Sequence, residues 1–125
     1  MLAESLSAIA AGLEHWRGRR NDDVAERHRR QDAVGHVMEA VVLTKGYLYD
    51  LEQGNSSRER EQEISRAWQR AANFIREYDY QLYNSAQLKA MGWSDPREWR
   101  HTDERPWMVN LDKIVAQCRW LQDNG

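Results

Sequence analysis

The sequence predicts an all-α fold: an antiparallel four-helix bundle with a long central helix hairpin and a short extra helix before the last one. Three observations carry the prediction. Ile64, Trp68, Ala71, Ile75, Tyr78 and Leu82 recur at spacings of four and three, which places them on one stripe of a helix and would scatter them over both faces of a strand. Leu2, Leu6, Ile9, Leu13 and Trp16 repeat the period, and Val34, Val37, Val41 and Leu48 form a third apolar side. Two prolines and seven glycines are too few for the turn-dense pattern of a β-sandwich.

The first predicted helix covers residues 2 to about 17, with Ala3, Ala8, Ala10 and Ala11 raising its propensity. Gly18 and the run Asn21, Asp22, Asp23 read as a break, and Asp23 and Glu26 as the N-cap and N3 partners of helix two. Helix two runs to Gln53, since Gly54 suits a left-handed position just past a helix end. Ser56 and Glu59 then form a capping box for helix three, which extends to about Tyr83. So short a connection predicts an antiparallel hairpin of helices two and three, roughly 40 to 45 Å long.

The stretch from Asn84 to His101 is less regular. Gly92 marks a break, and Asp95, Pro96 and Glu98 read as the cap, first residue and N3 acid of a short helix crossing the end of the bundle. The last helix starts near Asp103 to Pro106 and buries Met108, Leu111, Val115, Cys118 and Leu121. Helices two and three outrun the other two, and covering the surplus with a second copy predicts a homo-oligomer.

A chain of 125 residues fits a single helical-bundle domain, 1–125. An apolar fraction of 41% with 30% charged residues argues against a disordered polyelectrolyte and against a membrane protein. No apolar run approaches the roughly 20 residues that span a bilayer. The single cysteine, Cys118, has no partner for an internal disulfide, and Glu4 early with arginines late reverses the charge order of a secretory signal, so the predicted location is the cytoplasm.

A formal charge of -2 lacks the basic excess of a dedicated nucleic-acid binder. The basic residues are nevertheless mostly arginine, the better residue for bidentate and stacked contacts; only Lys45, Lys89 and Lys113 are lysine. Arg17, Arg19, Arg20, Arg27, Arg29 and Arg30 gather around the predicted turn between helices one and two and form a candidate anion or nucleic-acid contact, with Asp22, Asp23 and Glu26 interleaved to offset the field. Trp93, Arg97, Trp99, Arg100, Arg105 and Trp107 mix aromatic and guanidinium groups as interface hot spots do, and are the candidate partner-binding residues.

His28, Asp32, His36 and Glu39 fall within roughly 80° of arc on helix two, an arrangement that would suit a metal, but they lie opposite Val34, Val41 and Leu48 and read as a solvated face. Arg29 or Arg30 followed by His36 resembles the Arg-x(4 to 6)-His pattern of HEPN-type ribonucleases, helical bundles in which Arg and His meet across a dimer interface to cleave RNA. Here the pair lies on helix two, whereas that family usually carries it on its last helix. Cys118 reads as a small buried apolar residue. There is no Gly-rich phosphate loop, cysteine pair or Gly-x-Ser-x-Gly elbow, and neither a catalytic residue, a metal nor a cofactor is assigned. The resulting expectation is a non-catalytic protein–protein interaction or oligomerisation module, such as an adaptor subunit of a larger intracellular assembly. A nucleic-acid-binding or RNA-cleaving bundle and a metal-binding bundle are the alternatives.

Overall fold

The computed structural model describes residues 2–95, 97 and 111–124, with side chains from residue 23 onward. Its first helix, α1 (Leu2–Glu52), passes without interruption through Gly18 and Asn21 to Asp23, so predicted helices one and two are one element of 51 residues. A glycine inside a helix costs only about 1 kcal/mol. Asp23 and Glu26 serve as well inside a helix as at its start, because acids three and four residues before arginines support it; Glu26 meets Arg29 at 3.6 Å.

α1 ends at Glu52, one residue before the predicted Gln53. Gly54 has a φ of 84°, Gly54 N–H donates to Leu51 O at 3.0 Å, and Asn55 N–H reaches back to Asp50 O at 2.9 Å. These bonds satisfy carbonyls that the last turn leaves without partners.

α2 (Arg58–Ile75) begins one residue later than the predicted capping box, with Ser57 as N-cap, its side chain accepting from Arg60 N–H at 3.2 Å. A tertiary contact decides between the adjacent serines. The Tyr47 hydroxyl accepts the Ser57 N–H at 2.9 Å and donates to Glu61 Oε2 at 2.8 Å, pinning the new helix to α1. Burial pushes the Tyr47 phenol above its ordinary pKa, the Ser57 N–H pulls it back, and the Glu61 carboxylate adds to the rise.

The predicted third helix is in fact two. α2 stops at Ile75, and α3 (Tyr80–Ser94) starts after a tight turn in which Tyr78 N–H and Asp79 N–H both donate to Ile75 O, at 2.9 and 3.0 Å. Asp79 is the N-cap, its carboxylate accepting the Leu82 N–H at 3.0 Å. The segment after Asn84, predicted irregular, continues as helix to Ser94, and Gly92 does not break it. The short helix predicted at Pro96 and the predicted start of the last helix lie outside the described residues. The last described helix, α4, is Leu111–Asn124. The described residues are all-helical, with four helices and no strand.

Val34, Val37 and Val41 of α1, Ile64, Trp68, Ala71 and Ile75 of α2, Leu82, Ala86 and Trp93 of α3, and Leu111, Ile114, Cys118 and Leu121 of α4 form one buried cluster. Along α1 and α2 the contacts are His36 with Phe74, Thr44 with Trp68, and Tyr47 with Glu61, so the two run in opposite directions. Ser65 Oγ donates to Ala90 O at 2.6 Å, and Arg58 Nη1 donates to Trp93 O at 2.9 Å, giving α2 and α3 the same opposed sense. Leu111 and Asp112 share a groove with Lys45, Leu48, Tyr49 and Glu52. Gln117 Nε2 donates to Asp79 Oδ2 at 2.6 Å.

Lengths are unequal. At 1.5 Å per residue the 51 residues of α1 span about 76 Å, against about 27 Å for the 18 of α2. Because α2 ends one residue past Phe74, opposite His36, α1 continues for about 48 Å beyond its partner. Asp23 to Arg29 are all exposed, as a helix running on past α2 requires. Among the described residues no helix is long and apolar enough to cross a membrane.

Candidate functional site

The structure divides the two predicted contact groups. Trp93 is 3% exposed and is a core residue, not a surface one. It lies on the seam of α3 with Leu82, Ala86 and Lys89, meets the Tyr47 ring edge-on at 5.6 Å, and has its carbonyl held by Arg58. Arg97 is exposed and engaged by Asp95, with Nε donating to Oδ1 at 2.9 Å and Nη2 to Oδ2 at 3.1 Å. The hydrogen bonds from the Arg97 side chain hold the Asp95 carboxyl below its ordinary pKa. Trp99, Arg100, Arg105 and Trp107 lie outside the described residues.

Arg27 and Arg29 are exposed on α1 and Arg30 is half-buried. The side chains of Arg17, Arg19 and Arg20 are not among those described. The expected turn that would gather these arginines is continuous helix, so the group is strung along a rod. Arg29 and His36, seven residues apart, share a face about 10 Å apart along the axis, and Arg30 lies about 120° around from His36.

His36 departs from the solvated face predicted for it. Its ring stacks on Phe74 at 4.2 Å with 13° between planes, and Asp32 and Glu39 stand 3.8 and 4.0 Å from its nitrogens. Among the described residues no group of three His, Cys, Asp or Glu side chains is placed to hold a metal ion.

Two features had weaker sequence signals. Lys89 is buried, with its ammonium 5.7 Å from the Trp68 ring centroid, and burial lowers its pKa to about 8. Its position is legible once the frame of α3 is known, because 82, 86, 89 and 93 repeat the helical period. Cys118 is buried as predicted; burial first and the Asp79 charge second push its thiol up to about 11, away from nucleophilic chemistry.

The second feature is a set of exposed aromatic side chains on either side of the α2–α3 turn and on α4. Phe74 is 45% exposed, Tyr80 67% and Trp120 55%. Phe74 closes α2 against His36, Tyr80 opens α3, and Trp120 lies one turn beyond Gln117, whose amide reaches Asp79. Trp120 falls between the seam residues Cys118 and Leu121, the signal that separates it from the core. No family model matches the chain, and neither the curated proteins nor the solved structures give a match.

Proposed function

We propose that the chain is a non-catalytic helical protein–protein interaction or oligomerisation module, built as an antiparallel four-helix bundle. The opposed senses of α1, α2 and α3, and the placement of α4 beside α1 and Asp79, support that arrangement. The observation that carries the function is the exposed aromatic group Phe74, Tyr80 and Trp120 beside a helix that outruns its bundle. Large aromatic side chains held outside a formed core have the composition of interface anchors, and a rigid scaffold presents them at low entropic cost. Arg97, Trp99, Arg100, Arg105 and Trp107 belong to the proposal as a second contact region.

Light scattering after size exclusion, combined with pull-down by the immobilised chain, tests the reading. The expected result is a mass above one chain or a retained partner, and loss of one of them in Tyr80→Ser/Trp120→Ser with an unchanged melting temperature. A strict monomer that retains nothing would overturn it.

A further inference from the structure

We infer that the outward face of α3 pairs antiparallel with the same face of a second copy, across a two-fold axis near Gln87. The inference rests on the interaction-module reading and names the partner and the surface. α3 buries Leu82, Ala86, Lys89 and Trp93, at spacings of four, three and four. Tyr80, Asn84, Gln87 and Met91 repeat those spacings two residues earlier, within roughly 60° of arc on the opposite side of the helix, and all four are exposed. α3 therefore carries two seams, and only one of them has its partners inside the bundle.

The outer seam carries no charge. From Tyr80 to Met91 the exposed residues are Tyr80, Gln81, Asn84, Gln87, Leu88 and Met91, while the single charged residue of the helix, Lys89, is buried. The neighbouring helices differ: α2 exposes Arg58, Glu59, Glu63, Arg66 and Arg70, and α4 exposes Asp112, Lys113, Arg119 and Asp123. Leu88 is 61% exposed and Met91 56%, so large apolar groups stand on a face without the charged residues that solvated helix faces carry. The groove beside the seam continues it, with Gln69, Ala72 and Asn73 of α2 facing Gln87, Ala90 and Met91.

Charge and composition choose a second copy. A partner selected by charge finds nothing on this face to pair with, whereas an identical face meets it without repulsion. In the frame of paired helices Tyr80 and Gln87 are d positions, and Asn84 and Met91 are a positions. An antiparallel pair sets a against d, so Tyr80 meets Met91 of the second copy and Asn84 meets its Gln87. Thioether then lies against phenol at both ends of the seam, and amide against amide at its middle. Gln87 Nε2 donates to Tyr83 Oη at 2.8 Å, which leaves the Gln87 carbonyl oxygen to accept from the second copy's Asn84 amide. A parallel pair would set Asn84 against Asn84 and bring like helix ends together. α3 is about 22 Å long, and with the α2 wall about 10 Å to its side the patch covers roughly 450 Å² of each copy. That area is at the small end of specific interfaces, and it sets a dimer that dissociates on dilution.

Light scattering between roughly 10 μM and 1 mM is expected to show the mass rising from one chain to two. Gln87→Lys and Gln87→Glu, each placing two like charges beside the axis, are expected to stay at one chain with cooperative melting retained, and an equimolar mixture of them to recover the two-chain mass. Direction is read by oxidative cross-linking, with the wild type, whose Cys118 is buried, as control. Gln87→Cys lies about 4.5 Å along the axis from its copy and is expected to cross-link, whereas Tyr80→Cys, displaced by about 16 Å, is not. A monomeric wild type, a dimer that both charged variants leave intact, a mixture that stays monomeric, or cross-linking that is equal at both positions would each overturn the inference. A wild-type monomer that still retains a protein partner would overturn this pairing alone, leaving the interaction module standing.

Discussion

Thr44→Val isolates one buried hydrogen bond at almost constant shape. Thr44 and Trp68 are both fully buried; the indole Nε1–H donates to Thr44 Oγ1 at 2.8 Å, and the hydroxyl donates to Ala40 O at 2.7 Å. Replacing the hydroxyl by a methyl group leaves the indole N–H buried without its acceptor, a desolvation cost of about 1–3 kcal/mol. Releasing the hydroxyl from the helix carbonyl returns little, because such back-bonding is neutral to slightly unfavourable in helices. The net expectation is a loss of about 2 kcal/mol. Trp68→Phe removes the donor and shrinks the ring, with a separate packing cost of about 1–3 kcal/mol. Once the donor is gone, Thr44→Val orphans nothing, so the double variant should lie within about 0.5 kcal/mol of Trp68→Phe alone. Urea unfolding followed by circular dichroism at constant m-value supplies the four free energies. Additive single effects would refute the claim that this bond, and not the volume of either side chain, is what Thr44 contributes.

Three further outcomes concern Lys89, Asp79 and Gly46. Lys89 has a folded pKa of about 8, below its ordinary 10.5, so between those values the unfolded chain binds more protons and stability rises with pH. The rise attributable to Lys89 is on the order of 3 kcal/mol, and subtracting the pH–stability curve of Lys89→Met isolates it from the opposite contribution of Cys118 above pH 9. No difference in slope between the two curves would refute the assignment. Asp79→Ala removes the N-cap of α3 and the acceptor of Gln117, and should cost about 1–2 kcal/mol in the same unfolding measurement, with Asp79→Asn recovering most of it. Gly46→Ala should stabilise by about 0.5–1 kcal/mol, because the added carbon meets nothing within 4 Å and the helix gains a better former; a lower melting temperature would refute this.

The helical period made the cores of α1 and α2 readable, because it reports which residues share a face. It misplaced both helix junctions for the same reason. Tyr78 and Leu82 keep the rhythm of Ile64 to Ile75 across a turn that is itself nearly one helical turn long, so the stripe hides the reversal at Asp79. Gly18 and Asp23 raised the opposite error, because local signals for a helix start are also compatible with a helix interior when arginines follow at i+3 and i+4. The choice of Ser57 over Ser56 depends on Tyr47, ten residues away, which no local window contains. The tryptophan-rich stretch looked uniform by composition, yet Trp93 belongs to the α3 seam, while Trp120, alone on the outside of α4, carried no cluster to draw attention.

The Tyr47 clamp also orders events in time. Its bonds to Ser57 and Glu61 close loops of 10 and 14 residues, and the Thr44–Trp68 bond closes one of 24, whereas Asp79 meets Gln117 across 38. Loop-closure entropy makes the shorter closures the earlier ones, so the α1–α2 hairpin closes before α4 docks against Asp79. On a ribosome, that hairpin is complete as soon as α2 has emerged, and α4 arrives last to cover a seam already assembled.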